Sequence, residues 1–238
     1  MSGVERLQRV AGGALDAVLP AHCLLCGARG RGALSLCADC DAELPRNRVC
    51  CARCALPLAT SAPLCGRCLR RSPPWDAAWA PFRYDWPLGQ LETRFKFGGD
   101  LAAGRTLSLL WMAAPRPAEL PQAIVPVPLH RSRLRRRGYN QALELAKPLA
   151  AHFGLPLLRG TLRRVRATGA QTELTAAQRR HNVRGAFAVR FKGEAPEHVA
   201  VLDDVFTTGA TLGECARVLK RAGVARVDVW ALARAPAR

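Results

Sequence analysis

The chain has 238 residues, 49% of them hydrophobic, with 36 basic against 18 acidic side chains and a formal charge of +18. That length suits one α/β domain with an appendage, or two small domains, and the apolar share suits a globular core. No apolar run reaches the roughly 18 residues of a membrane-spanning helix. The stretch 10–19 is interrupted by Gly12, Gly13 and Asp16 and no small-x-small cleavage site follows, so the expected location is cytoplasmic, without membrane insertion.

From the start, Val4, Leu7, Ala11, Leu15 and Val18 recur at three- and four-residue spacing and predict a short amphipathic helix. Four C-x-x-C pairs follow: Cys23/Cys26, Cys37/Cys40, Cys51/Cys54 and Cys65/Cys68. They form the unit C-x2-C-x10-C-x2-C twice. In a chain without a secretory leader such pairs read as metal ligands rather than disulfides. Eight thiolates fill two tetrahedral zinc sites, and a site closed by four cysteines is structural, with no open coordination position. A region of about 50 residues with few bulky apolar side chains needs such help to fold. Cys50 offers C-x3-C spacing as an alternative to Cys51, but Cys51 preserves the repeat. The lone Cys215 reads as a small core hydrophobe. Ser72-Pro73-Pro74 is linker-like and divides the chain into a helix and double zinc ribbon over 1–74 and a second domain over 75–238.

In that second domain a strand is expected over 77–84, helices over 88–97 and 101–112, and a buried strand over 123–127. A helix over 139–153 should be kinked or shortened by Pro148. Residues 159–185 are polar and aperiodic and read as a long loop. A strand over 199–202, a helix over 212–222 stopped by Gly223, and a strand over 227–231 complete the pattern. This alternation predicts an α/β fold, a mostly parallel sheet with flanking helices behind the zinc-ribbon domain.

The charge is uneven. Residues 129–192 hold 15 basic and 2 acidic side chains, an excess of 13 out of the 18. Arg outnumbers Lys 32 to 4, a bias that sets which cation is used but not where cations gather. A polyanion or multiply phosphorylated ligand accounts for the clustering. Base stacking on a nucleic acid would fall to Trp75, Trp79, Phe82, Tyr84 and Trp86.

The segment Val201-Leu202-Asp203-Asp204-Val205-Phe206-Thr207-Thr208-Gly209-Ala210-Thr211 carries the sharpest chemistry. Carboxylates at the end of a strand can accept hydrogen bonds from adjacent ribose hydroxyls or hold a metal ion. A small-residue turn ahead of a helix N-terminus brings backbone N–H groups and a favourable dipole to a phosphate. Strand, Asp-Asp, Thr-Thr-Gly-Ala-Thr and helix stand here in that order, and the stretch resembles the phosphoribosyl-pyrophosphate (PRPP) signature of type I phosphoribosyltransferases. Pro126-Val127-Pro128-Leu129-His130, Arg137-Gly138-Tyr139-Asn140-Gln141, Gln171 followed by Arg179, Asn182 and Phe187, and Phe95-Lys96-Phe97-Gly98-Gly99-Asp100 are similar to the ComF family of competence-associated proteins. The cysteine-rich start resembles that family's double zinc ribbon. Only Phe206 is bulky for its place.

The resemblance implies a phosphoribosyltransferase-like domain, a role in DNA uptake by natural transformation, contact with other DNA-uptake proteins, and single-stranded DNA binding. It leaves the acceptor substrate open, and with it the choice between a phosphoribosyltransferase and a non-catalytic nucleic-acid-binding protein that uses PRPP as a regulatory ligand. On this resemblance Asp203 and Asp204 hold the ribose hydroxyls and stabilise charge on the sugar. Thr207, Thr208, Gly209, Ala210 and Thr211 cradle the 5′-phosphate. Arg133, Arg135, Arg136 and Arg137 are candidates for the Mg2+-bound pyrophosphate. The loop 163–184, with Gln171 and Arg179, closes over the site. Lys96, one of four lysines, is a candidate for a role that needs a compact ammonium.

Overall fold

The structure, a computed structural model, describes residues 22–31, 34–166 and 176–236. The expected helix over 4–18 and the position of Gln171 lie outside them.

In the cysteine-rich region two single-turn helices, α1 (Ala38–Ala42) and α2 (Gly66–Arg70), each begin at a cysteine N-cap, Cys37 and Cys65. The expected strand over 77–84 is split into β1 (Ala78–Trp79) and β2 (Phe82–Arg83), because Pro81 has no N–H to continue the ladder. Helices α3 (Leu88–Phe97) and α4 (Leu101–Met112) have the predicted bounds. Asp100 caps α4 by accepting the Ala103 N–H at 3.0 Å.

Strand β3 (Ala123–Pro126) leads into a helix that the sequence reading takes for a loop, α5 (Arg131–Arg137). Arginine is a good helix former. His130 caps its start, and Gly138 ends it in the left-handed region at φ 84°. Helix α6 (Gln141–Phe153) begins two residues later than expected and continues through Pro148 to the expected end. Its buried stripe of Ala142, Leu145, Ala146 and Leu149 packs on the sheet across that position. The stretch expected to be a long loop contains β4 (Leu162–Arg164) and α7 (Ala176–Val183), and β4 pairs antiparallel with β5 (Phe187–Val189).

The central strands are longer than predicted: β6 (His198–Phe206) and β7 (Arg226–Arg234), linked by α8 (Ala210–Arg221). The sheet is parallel throughout, in the order β1/β2, β7, β6, β3. Its two inner strands are buried on both faces, as expected of a parallel sheet covered by helices. The cysteine-rich region docks on the β2 edge, where Pro45 and Asn47 exchange backbone hydrogen bonds with Pro81 and Arg83 at 2.7 Å each. Among the described residues no helix is long and apolar enough to cross a membrane.

Candidate ligand site at the carboxyl edge of the sheet

The eight paired cysteines converge in two groups, Cys23, Cys26, Cys37 and Cys40, and Cys51, Cys54, Cys65 and Cys68, the sulfurs of each lying within 4.8 Å of one another. The Cys26–Cys37 and Cys54–Cys65 sulfurs are 3.6 and 3.7 Å apart. A tetrahedral zinc with bonds near 2.3 Å sets its sulfurs about 3.8 Å apart, so both groups fit structural zinc. Each half of the repeat makes its own site, with Cys51 rather than Cys50 in the second. Cys215 is fully buried in α8, as a core hydrophobe should be.

The second candidate centre lies where β3 ends. Strand β3 stops opposite Leu202, while β6 continues to Phe206 along β7 alone. Asp203 and Asp204 therefore sit inside a strand, not after it as the sequence reading places them, but at the point where one neighbour falls away. Their carboxylates are held from below: the Asp204 N–H donates to Asp203 Oδ1 at 3.0 Å, and the Val205 N–H to Asp204 Oδ1 at 2.7 Å. From α3, Lys96 Nζ reaches Asp204 Oδ2 at 2.9 Å.

One turn earlier on the same helix, Glu92 is 1% exposed, and neither of its oxygens has a hydrogen-bond partner. Burial and the neighbouring Asp204 charge push its carboxyl well above the usual range. The same two causes raise Asp203. Asp204 goes the other way: burial opposes ionisation, but the Lys96 ammonium and the Val205 N–H hold it below the usual range. The cluster thus sets one carboxyl that ionises readily against an ammonium, beside two further carboxyls that ionise with difficulty. Sequence reasoning missed Glu92, although it stands in the apolar stripe Leu88, Leu91, Phe95 of α3, where an acid is out of place.

The Gly-Tyr-Asn-Gln motif positions this helix. Asn140 donates to the Val127 carbonyl at 3.0 Å, and Arg137 to Gln141 at 2.7 Å. The Tyr139 hydroxyl donates to the carbonyl of Phe95, next to Lys96, and its ring lies 5.3 Å from that of Phe95. Burial lowers Arg133, and the Arg137 and Arg136 charges lower it further; burial and the Arg133 charge lower Arg164, while Asp203 acts the other way. The structure thus brings Arg133 and Asp203 into one neighbourhood and adds Arg164, which was not among the predicted site residues. Arg137 lies over the Phe97 ring at 5.4 Å. The backbone of Arg179 belongs to α7, so that part of the expected closing loop is helical; its side chain and Gln171 lie outside the described residues.

The turn after β6 is built around a glycine. Gly209 has φ 74°, and a Cβ there would meet Phe206 and Trp75 at 2.8 Å each, so both conformation and space demand glycine. The Ala210 N–H donates to Thr208 Oγ1 at 3.3 Å, and no acidic side chain occupies the first turn of α8. Phe206, bulky for its place, is a buried prop. It meets Trp75 edge-on at 5.4 Å and lies under the Arg234 guanidinium at 4.3 Å. Arg234 donates to the carbonyls of Phe206 and Thr207 at 2.9 and 2.7 Å, and to the Cys54 carbonyl at 2.9 Å. Trp75 Nε1 donates to the Arg53 carbonyl at 2.7 Å. The second cysteine site and the turn thus share one set of braces. Nothing in the sequence marks Arg234 for this part.

Of the residues expected to stack on bases, Trp75 and Phe82 are buried and unavailable; Trp86 is exposed, and so is Phe97, which the sequence reading does not single out for stacking.

A family model for the double zinc ribbon domain matches residues 14–69. Competence protein F of Haemophilus influenzae is 40% identical over 208 residues, covering 84% of this chain and 90% of the relative. The DNA utilization protein YhgH of Salmonella typhimurium is 39% identical over 225 residues, covering 91% and 98%. Competence protein ComFC of Streptococcus pneumoniae is 24% identical over 155 residues, covering 65% and 67%. With likeness of this extent running through both the cysteine repeats and the parallel sheet, the chain belongs to the ComF family.

Proposed function

We propose that the chain binds Mg2+-PRPP through Asp203, Asp204 and the turn 207–211, binds single-stranded DNA, and serves DNA uptake in natural transformation. The observation that carries the first part is the juxtaposition of the Lys96-paired Asp204 and its neighbour Asp203 with a glycine turn at a helix N-terminus. Acceptors for ribose hydroxyls stand beside donors for a phosphate. Arg133 and Arg137 stand on the β3 side for the pyrophosphate, with Arg164 beside them. Mg2+ would neutralise the pyrophosphate and aid its departure from C1. The chain's own part is to hold the sugar and place carboxylate charge beside the carbon that becomes cationic. The names of the relatives, competence protein and DNA utilization protein, support the uptake role.

The acceptor stays open, and a second reading has support of its own. Asp204 is already satisfied by Lys96, which suits a site that binds and senses PRPP without turnover.

Calorimetry with Mg2+ and PRPP tests the site. Asp203→Ala/Asp204→Ala should weaken binding tenfold or more, since removing each charge-assisted hydrogen bond costs about 1.5–3 kcal/mol. Thr208→Val should weaken it at the phosphate end. No binding by the wild type at millimolar PRPP removes this reading, and equal binding by the aspartate variant moves the ligand elsewhere.

A further inference from the structure

A cleft of about 510 Å³ opens between the second cysteine site and the phosphate turn, whose Gly209 and Ala210 line it. That volume is within the range of sites that take small ligands or part of a larger one. Thr208 and Trp75 form part of its wall, and five arginines line it: Arg67, Arg70, Arg71, Arg217 and Arg234. Among the described residues no aspartate or glutamate lines it. Arg234 is committed to carbonyl oxygens and Arg217 to Glu214 at 2.8 Å. Arg67, Arg70 and Arg71 are exposed and have no carboxylate partner among the described residues. Near the first cysteine group, by contrast, Arg31 and Arg46 both bind Asp41, at 2.6 and 2.8 Å. Like charges gathered around a concave surface repel one another and destabilise the fold unless something anionic enters.

We infer that this cleft is a second anion site, which holds the phosphodiester backbone of a single-stranded nucleic acid. The inference rests on the single-stranded DNA reading above and places that ligand where the charge excess of residues 129–192 does not. The occupant is a chain rather than a lone phosphate for two reasons. The cleft takes arginines from separate elements: α2 and its C-cap Arg71, α8, and the end of β7. It also lies on the same edge of the sheet as the basic helix α5. In the sheet β6 alone separates β7, whose last residue lines the cleft, from β3, which leads into α5. A flexible strand can touch both faces while passing the phosphate turn; a compact anion cannot. Guanidinium groups suit phosphate oxygens, and backbone contact of this kind needs no base recognition.

The test is fluorescence anisotropy of a labelled oligo-dT at several salt concentrations, using the full chain and its Arg67→Glu/Arg70→Glu/Arg71→Glu and Arg67→Gln/Arg70→Gln/Arg71→Gln variants. The glutamine set should bind about tenfold more weakly and lower the salt slope by roughly 2, since each phosphate neutralised on a single strand adds about 0.7 to it. The glutamate set should bind more weakly still. Zinc content and PRPP calorimetry should match the wild type for both, which separates a local effect from misfolding. If the wild type binds oligo-dT and the glutamine set binds it equally well with the same slope, the cleft is not the site, and the DNA reading stands without it. If the wild type binds no oligo-dT at low salt, both fall. If tripolyphosphate binds the wild type and not the variants, while oligo-dT binds all alike, the cleft is a polyphosphate site and the nucleic-acid assignment is overturned.

Discussion

Lys96 stands where three carboxyls meet, and its worth depends on how many are ionised. Glu92 and Asp203 are raised, so the folded state binds their protons more tightly than the unfolded chain does. Their contribution is present at low pH and is lost as pH rises from near 4, the ordinary range, towards about 8. Asp204 is depressed, so its contribution is present at neutral pH and lost on acidification. Lys96→Met removes the ammonium that keeps Asp204 ionised. The variant should melt lower by about 6–12 °C at pH 8, from about 3 kcal/mol for breaking a buried pair, and by much less at pH 5, where the carboxyls take up protons. Thermal melts at both pH values decide it; a gap that is constant, or larger at pH 5, contradicts the arrangement. Lys96 was legible as an unusual lysine among 32 arginines. Its partner was legible only as a motif residue, because the contact joins α3 to β6 across more than a hundred residues.

At the scale of elements, long periodic segments were readable and short or charged ones were not. The bounds of α3 and α4 follow from apolar spacing and the Asp100 cap. The parallel order follows from the alternation of strand and helix. Helix α5 escapes because arginine on every side leaves no apolar stripe, and α7 because its stretch is polar and aperiodic. The ends of β6 and β7 escape because backbone pairing, which has no side-chain signature, extends them. The cysteine sites were legible almost in full, since spacing alone selects the ligands. What spacing cannot show is that the second site braces the phosphate turn through the Cys54 carbonyl and Trp75. Cys65→Ser should therefore lower bound zinc from about two to about one per chain. It should also weaken PRPP binding by roughly tenfold through the loosened Arg234 hydrogen bonds. Cys37→Ser, in the first group, should lose zinc without that effect. Elemental analysis with calorimetry checks both, and equal PRPP affinity in the two variants would disprove the coupling.

For the whole molecule, basic side chains gather on two faces: one on α5 and β4, within the excess read from the sequence, and one at the arginine cleft, outside it. On the first face Arg131, Arg135, Arg136 and Arg163 are exposed, whereas Arg164 lies over Phe187 at 5.3 Å and is partly withdrawn. Replacing those four exposed arginines with glutamine should weaken oligo-dT binding tenfold or more and flatten its salt dependence, by up to about 0.7 in slope for each phosphate they neutralise. Anisotropy across a salt series measures this. An affinity indifferent to salt, or to these replacements, would remove single-stranded DNA as a ligand of that face.

The bond from Arg234 to the Cys54 carbonyl joins residues 180 positions apart. During synthesis at roughly 5–20 residues per second, the metal-binding repeats leave the ribosome about 10–40 s before the strand that braces the phosphate turn. The cysteine sites can load and close early, but the turn cannot take its working shape until β7 adds to the sheet. A nascent chain stalled short of Arg234 would have its cysteine sites closed and still lack the finished turn, so the phosphate binding proposed above would be among the last properties the growing polypeptide acquires.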